Sequence, residues 1–249
     1  MSLNVSNILS DSFKYPVKSG SKIWRISVLI IFSFLIFPIF IITGYCLRVI
    51  SNAINKIDVI PTFEDKTDLF MEGIKLFIVQ FAYTCIPILL LVLSTDLLSY
   101  SIHELFYDYP THIFWGMDFV PVNSFLGDAF VPLAIVLFVL TIILVIFASS
   151  LAYAAIAKYV REDLIVSSFR VDEIVKEISA IGWGKFLSVV FLSLVASSAV
   201  IGVLYYIVNL TGALYSFKFL SPIIALLGLV FVIPGVILFN SRVIGLINS

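Results

Sequence analysis

A chain of 249 residues has the length of one or two soluble domains, but its composition excludes them. Apolar residues make up 61% of it and charged residues 12%, against roughly 45–50% and roughly 25% in soluble domains, and the mean hydropathy is +1.14. A soluble fold of this size has too much surface to cover with so few charges, so the chain reads as an integral membrane protein. A net charge of −1 with no basic tail speaks against a nucleic-acid partner.

Residues 1–25 are mostly polar and read as a cytoplasmic segment rather than a signal peptide, because no small-x-small cleavage site follows the first apolar run. No lipidation motif is visible at either end. A hydrocarbon core of roughly 30 Å takes about 20 helical residues. Five stretches without Asp, Glu, Lys or Arg are long enough: Ile26–Leu47, Leu76–Thr95, Ala129–Ala157, Phe186–Phe217 (its span set at 186–211) and Phe219–Ser241. None alternates with the period of a barrel strand, so all are expected to be helices, which satisfy their own backbone groups in lipid.

Lys and Arg set the expected orientation. The acidic segment 96–128 holds Asp96, Glu104, Asp108, Asp118 and Asp128 and no basic residue, so it is expected outside. The segments carrying Arg48, Lys56, Lys66 and Lys75, and Lys158, Arg161, Arg170, Lys176 and Lys185, are expected in the cytoplasm. So is the N-terminal segment with Lys14, Lys18, Lys22 and Arg25. A single crossing by 26–47 contradicts this, since both its flanks are then inside. A re-entrant or tight helical hairpin turning near Pro38 resolves the conflict and leaves 14 of the 15 basic residues inside, with only Lys218 outside. Five simple spans with an outside N-terminus, 10 basic residues inside and 5 outside, are the alternative. Both put Arg242 and the C-terminus in the cytoplasm. The expected fold is thus an all-α polytopic bundle, a single domain over 1–249, with four full spans plus the hairpin.

Trp24 and Trp183 sit beside basic residues as inner-interface anchors, and Tyr100, Tyr107, Tyr109, Phe114 and Trp115 cluster in the outer segment. There Leu98, Ile102, Leu105 and Phe106 share a helical face, the pattern of an interfacial helix. Both inner loops carry helical signals. Thr62-x-x-Asp65 is a possible start ahead of Leu69, Phe70 and Gly73, and Ile174, Ile178 and Ile181 follow Asp172 at helical spacing. Amphipathic inner helices on the membrane surface, open to a cytoplasmic partner, are the expectation. A weak repeat with an offset of about 110 residues relates Tyr45 and Lys75 to Tyr153 and Lys185 in hydropathy.

Asp11-Ser-Phe-Lys-Tyr-Pro16, Gly44-Tyr-Cys-Leu-Arg-Val49, Pro61-Thr-Phe-Glu-Asp65 and Leu69-Phe-Met-Glu-Gly73-Ile-Lys75 occur in this order. With them, residues 10–95 resemble an uncharacterised family of archaeal and bacterial polytopic membrane proteins, known as a domain of unknown function, number four-zero-one-three. The resemblance implies a multi-helix membrane domain in an archaeal-type cell membrane and no activity. Read physically, Gly44 permits close helix approach, Arg48 meets inner headgroups, and Pro61 ends one element before Thr62 begins the next.

No Asp, Glu, Lys, Arg or His lies within the five spans, which argues against a proton-coupled transporter or a voltage sensor. The polar residues there are Gln80, Thr84, Thr141, Ser149, Ser150, Ser193, Ser197, Ser198, Asn209 and Asn240. The pairs Ala148/Ala152, Ser193/Ser197 and Ser198/Gly202 have the small-xxx-small spacing of close helix contacts, so these polar residues read as packing before a solute path. Cys46 and Cys85 form no metal or redox motif and read as small buried residues. His103, Glu104, Asp108 and His112 lack a zinc-hydrolase spacing and read as solvated interfacial groups. No GxSxG, Walker A or dinucleotide motif is present, and Gly182-Trp-Gly184 reads as a turn. No catalytic, cofactor-binding or metal-binding residue is therefore expected, and no cofactor. The expectation is a non-catalytic structural, scaffolding or accessory membrane component, in contact with membrane lipid and with a cytoplasmic or membrane protein partner or a second copy of itself. The alternative is a transporter or channel component for a small uncharged solute.

Overall fold

The computed structural model describes residues 4–32, 37–107, 124–213 and 219–249, with side chains omitted at 21, 100–107 and 124–130. Described secondary structure is helical throughout: α1 Val5–Lys18, α2 Gly20–Ile31, α3 Phe37–Ile54, α4 Lys66–Tyr107, α5 Ser124–Glu162, α6 Val171–Ile181, α7 Trp183–Ala213, α8 Leu220–Leu227 and α9 Ile233–Ile247. A short 3-10 turn, Ile165–Phe169, precedes α6, and a π turn, Gly228–Val232, joins α8 to α9. Among the described residues, five helical segments are long and apolar enough to cross a membrane: Phe37–Ile54, Lys66–Ser99, Val131–Glu162, Trp183–Ala213 and Leu220–Ile247. The protein is an all-helical membrane bundle.

The chain forms two compact units, Met1–Gln80 with Ser150–Ser249, and Phe81–Ser149. In the first, α9 is the central element, with α1 and α3 packed along it. Ile8, Ser12 and Tyr15 fall on one face of α1 and are buried, whereas Phe13 and Val17 are exposed. The second unit consists of parts of α4 and α5 whose apolar side chains, among them Phe81, Ile86, Leu89, Val136 and Ile143, are largely exposed.

The 26–47 run is not one helix. α2 ends at Ile31, and α3 begins at Phe37. Pro38 lies in the first turn of α3, where its missing N–H costs nothing, so it starts a helix rather than breaking one. The turn itself lies outside the described residues. Both arms pack on the C-terminal part of the chain: Ser27 in α2 reaches the Val230 carbonyl, and Ala53 at the end of α3 abuts Gly245.

Close approach of α3 and α4 rests on two glycines. A Cβ on Gly44 would overlap the Leu69 carbonyl, and one on Gly73 would overlap the Phe40 carbonyl. With no side chains between them, the helices pack backbone to backbone, and the Thr43 hydroxyl donates to the Gly73 carbonyl at 3.2 Å. Around this contact Phe40 packs edge-on to Phe70 and Phe77.

Three sequence expectations need correction here. Residues 55–65 form a loop, so neither Pro61 nor Thr62 bounds a helix. α4 begins at Lys66, after Asp65 at φ 56°, and the Asp65 carbonyl accepts the Leu69 N–H at 3.0 Å. The first amphipathic segment is therefore the opening turns of a long apolar helix, whereas α6 is a separate amphipathic helix as expected, with Ile174 and Ile178 buried. The two loops consequently differ in architecture, so the proposed repeat does not extend through them. Finally, the N-terminal segment contains α1 and the start of α2, neither of which was anticipated.

Candidate functional site at the charged end

Three apolar runs border on Arg48, Lys75 and Lys158, and the fold sets Arg48 and Lys158 against carboxylates of other helices. Lys158 is buried, its ammonium 3.0 Å from Glu162, 2.8 Å from Glu173 and 3.2 Å from Glu177. A buried ammonium is tolerable only with such partners. The ammonium holds Glu173 below the usual carboxylate range, helped by Arg170. Arg161 adds a 2.9 Å contact to Glu177 and donates to the Asn248 carbonyl at 3.3 Å, tying α5, α6 and the C-terminus together.

Arg242, also buried, plays the same part on the other side of α9. Its Nε lies 3.0 Å from Asp11, its Nη2 3.5 Å from Asp58, and its guanidinium 5.0 Å above the Tyr15 ring. Burial raises the Tyr15 phenol above its ordinary value, opposed by that guanidinium. Lys18 reaches Asp58 at 3.4 Å. These pairs join α1, the 55–65 loop and α9.

Between α3, α4 and the end of α5 lies an open cleft of about 360 Å³. Arg48, Ser51, Asp68, Glu72, Lys75, Tyr159 and Asp163 supply its polar lining, Leu47, Met71 and Val160 its apolar part. Arg48, expected to meet headgroups, is also held by the protein. Its Nε donates to Glu72 at 3.1 Å and its Nη1 to the Glu64 carbonyl at 3.1 Å.

Within the bundle, the structure brings together some of the polar residues singled out in the sequence. Asn240 Nδ2 donates to Ser197 Oγ at 2.9 Å, and the Tyr153 hydroxyl lies 3.5 Å from Asn240 Oδ1. Ser193 donates to the Val190 carbonyl at 2.8 Å. Thr141 and Asn209 spend their donors on carbonyls of their own helices. Ala148, Ala152, Ser193 and Ser197 are buried as a packing role requires, whereas Ser198 and Gly202 face outward. Cys46 is buried and Cys85 half-buried, both as free thiols. The side chains of His103, Glu104, Asp108 and His112, and of Ile102, Leu105, Phe106 and the aromatic cluster 100–115, lie outside the described residues. Sequence reasoning placed Arg48 and Lys158 at the boundary but missed their partners, which come from other elements.

The arrangement is a membrane bundle whose ionic groups collect at helix ends, and it bears on kinship. The sequence profile of a family described as Protein of unknown function (DUF4013) matches residues 29–213, most of the chain. The chain belongs to this family. The DUF4013 match extends well beyond the front segment that carried the motif resemblance and takes in α7, while Asp11–Pro16 falls before it. No curated protein and no solved structure matches the chain.

Proposed function

We propose that this DUF4013 protein is a non-catalytic accessory or scaffolding component of the cell membrane, which works through contacts of its outward helix faces with a second polypeptide or a second copy of itself. The observation that carries this reading is how the chain divides its chemistry. Its buried ionic groups are consumed in holding helix ends together. Its long helices instead offer apolar surface: only 17% of the most apolar window is buried in each of Lys66–Ser99 and Val131–Glu162, and 22% in Trp183–Ala213. Lipid accepts such faces, and so does another helix. On α7 the outward pair Ser198 and Gly202 leaves room for a close neighbour, since nothing lies within 4 Å of a Cβ built at Gly202 among the described residues.

Carrier activity is the second reading, prompted by the Tyr153–Asn240–Ser197 cluster beside a crevice of about 230 Å³. Apart from Ser197, however, Phe13, Val200, Phe231, Phe239 and the other residues lining that crevice are apolar, which suits an acyl chain better than a polar solute. The topology that fits is the hairpin. Lys18–Asp58 and Asp11–Arg242 tie the N-terminal segment to the 55–65 loop and to α9, as expected if all three lie on the cytoplasmic side.

Native mass spectrometry of the protein released gently from its own membrane tests the assembly reading. A second polypeptide or copy is expected in fixed ratio, lost on Gly202→Leu while the variant stays folded by circular dichroism. A monomer that carries solute across liposomes overturns it.

A further inference from the structure

The cleft between α3, α4 and α5 has an unspent charge pattern. Asp68, Glu72 and Lys75 stand at positions i, i+4 and i+7 of α4 and so form one stripe. Glu72 is taken by Arg48. Lys75, Asp68 and Asp163 line the same cleft, and among the described residues none of the three has an ion-pair partner within 4.0 Å. The backbone holds Asp163 in place at φ 54°, with its N–H donating to the Tyr159 carbonyl at 2.8 Å. Ser51 lines the same space, its hydroxyl oxygen accepting from Asn55 Nδ2 at 3.5 Å and keeping its own proton to donate.

The cleft's level in the membrane follows from the sequence. The apolar runs end at Leu47, begin at Leu76 and end at Ala157, each within a few residues of the cleft lining. It therefore sits where lipid headgroups sit, with Leu47 and the exposed Met71 at its apolar edge.

We propose that this cleft binds the headgroup of a phospholipid that bears both a phosphodiester and a primary ammonium. The Lys75 ammonium and the Ser51 hydroxyl donate to the phosphate oxygens, and the headgroup ammonium donates to the Asp68 and Asp163 carboxylates. The acyl chains leave over Leu47 and Met71 into the bilayer. Counting Arg48 and Lys75 against Asp68, Glu72 and Asp163, the lining carries one more negative than positive charge, which disfavours a headgroup that is only anionic. A quaternary ammonium has no N–H to give the carboxylates and is suited by aromatic cages instead. The site is independent of whether the protein works as an accessory component or a carrier.

The test is native mass spectrometry of the purified, delipidated full-length protein with phosphatidylethanolamine, phosphatidylcholine and phosphatidylglycerol of identical acyl chains. One phosphatidylethanolamine is expected to bind with about tenfold preference over each of the others, a margin typical of a well-placed charge-assisted contact. Lys75→Met and Asp163→Asn are each expected to abolish that preference, whereas the exposed Lys14→Gln keeps it. Asn adopts positive φ readily, so Asp163→Asn removes the charge without straining the turn. Equal or stronger binding of phosphatidylglycerol, or a preference that survives both variants, overturns the proposal. Protection from thermal unfolding by free phosphoethanolamine equal to that by the lipid refutes the lipid as the source of the headgroup.

Discussion

At the residue scale, the glycines divide by what surrounds them. Gly44 and Gly73 meet backbone carbonyls that cannot swing aside as a side-chain tip can. Gly73→Ala is therefore expected to force α3 and α4 apart, at the upper end of the about 1–3 kcal/mol that overpacking costs, or beyond it. Gly20→Ala, with nothing within 4 Å, is expected to be neutral or to stabilise by about 0.4–1 kcal/mol through the unfolded chain. Thermal unfolding in one detergent reads both, and equal melting temperatures for the two variants count against backbone-to-backbone packing. Gly44 was legible in the sequence because it closes an apolar run near Arg48. The ion partners of Arg48, Lys158 and Arg242 were not, because Glu72, Glu173 and Asp11 come from other helices and only tertiary packing selects them.

At the element scale, the join between α8 and α9 shows how a local defect is made good from a distance. Pro234 has no N–H to give to the carbonyl four residues back, that of Val230. The chain relaxes there into a π turn, with the Ile233 N–H reaching the Gly228 carbonyl. The Ser27 hydroxyl supplies the missing donor to Val230, while also lying 2.8 Å from the Ile23 carbonyl. In lipid no water is at hand to replace it. Ser27→Ala is therefore expected to cost about 1–3 kcal/mol. In a Pro234→Ala background, where residue 234 regains its N–H, that cost is expected to shrink markedly, so the two substitutions couple in a double-mutant cycle. Additive effects on unfolding free energy would falsify this account. Pro234 is plain to see within an apolar run of the sequence, but its partner, more than 200 residues earlier, left no local signal. α1 was missed for a related reason. Its buried face is Ile8, Ser12 and Tyr15, two of them polar, so the apolar periodicity that announces a helix is blurred.

For the whole molecule, the spans were legible because lipid imposes one requirement on every segment that crosses it, and charge-free length reports that requirement directly. Their number was not, because 26–47 is long enough for one crossing yet holds the end of one helix and the start of another. What separates the two topologies is which polar segments share a side. The Lys18–Asp58 and Asp11–Arg242 pairs group the N-terminal segment with the 55–65 loop and α9, and a single crossing of 26–47 would have to pull the partners of both pairs to opposite faces of the bilayer. Labelling with an impermeant thiol reagent in intact cells decides between them, on a background lacking Cys46 and Cys85. Ser19 is a poor reporter, because it is buried with its hydroxyl donating to the Tyr15 carbonyl, and shielding there would reflect packing alone. Lys14 is exposed, so a cysteine at that position answers to sidedness. Lys14→Cys is expected to label only after the membrane is opened, and Ser101→Cys, in the segment without Lys or Arg, to label in intact cells. Labelling of Lys14→Cys in intact cells would restore five simple crossings and require the two ion pairs to break. Protection of Ser101→Cys would reverse the orientation of the whole bundle.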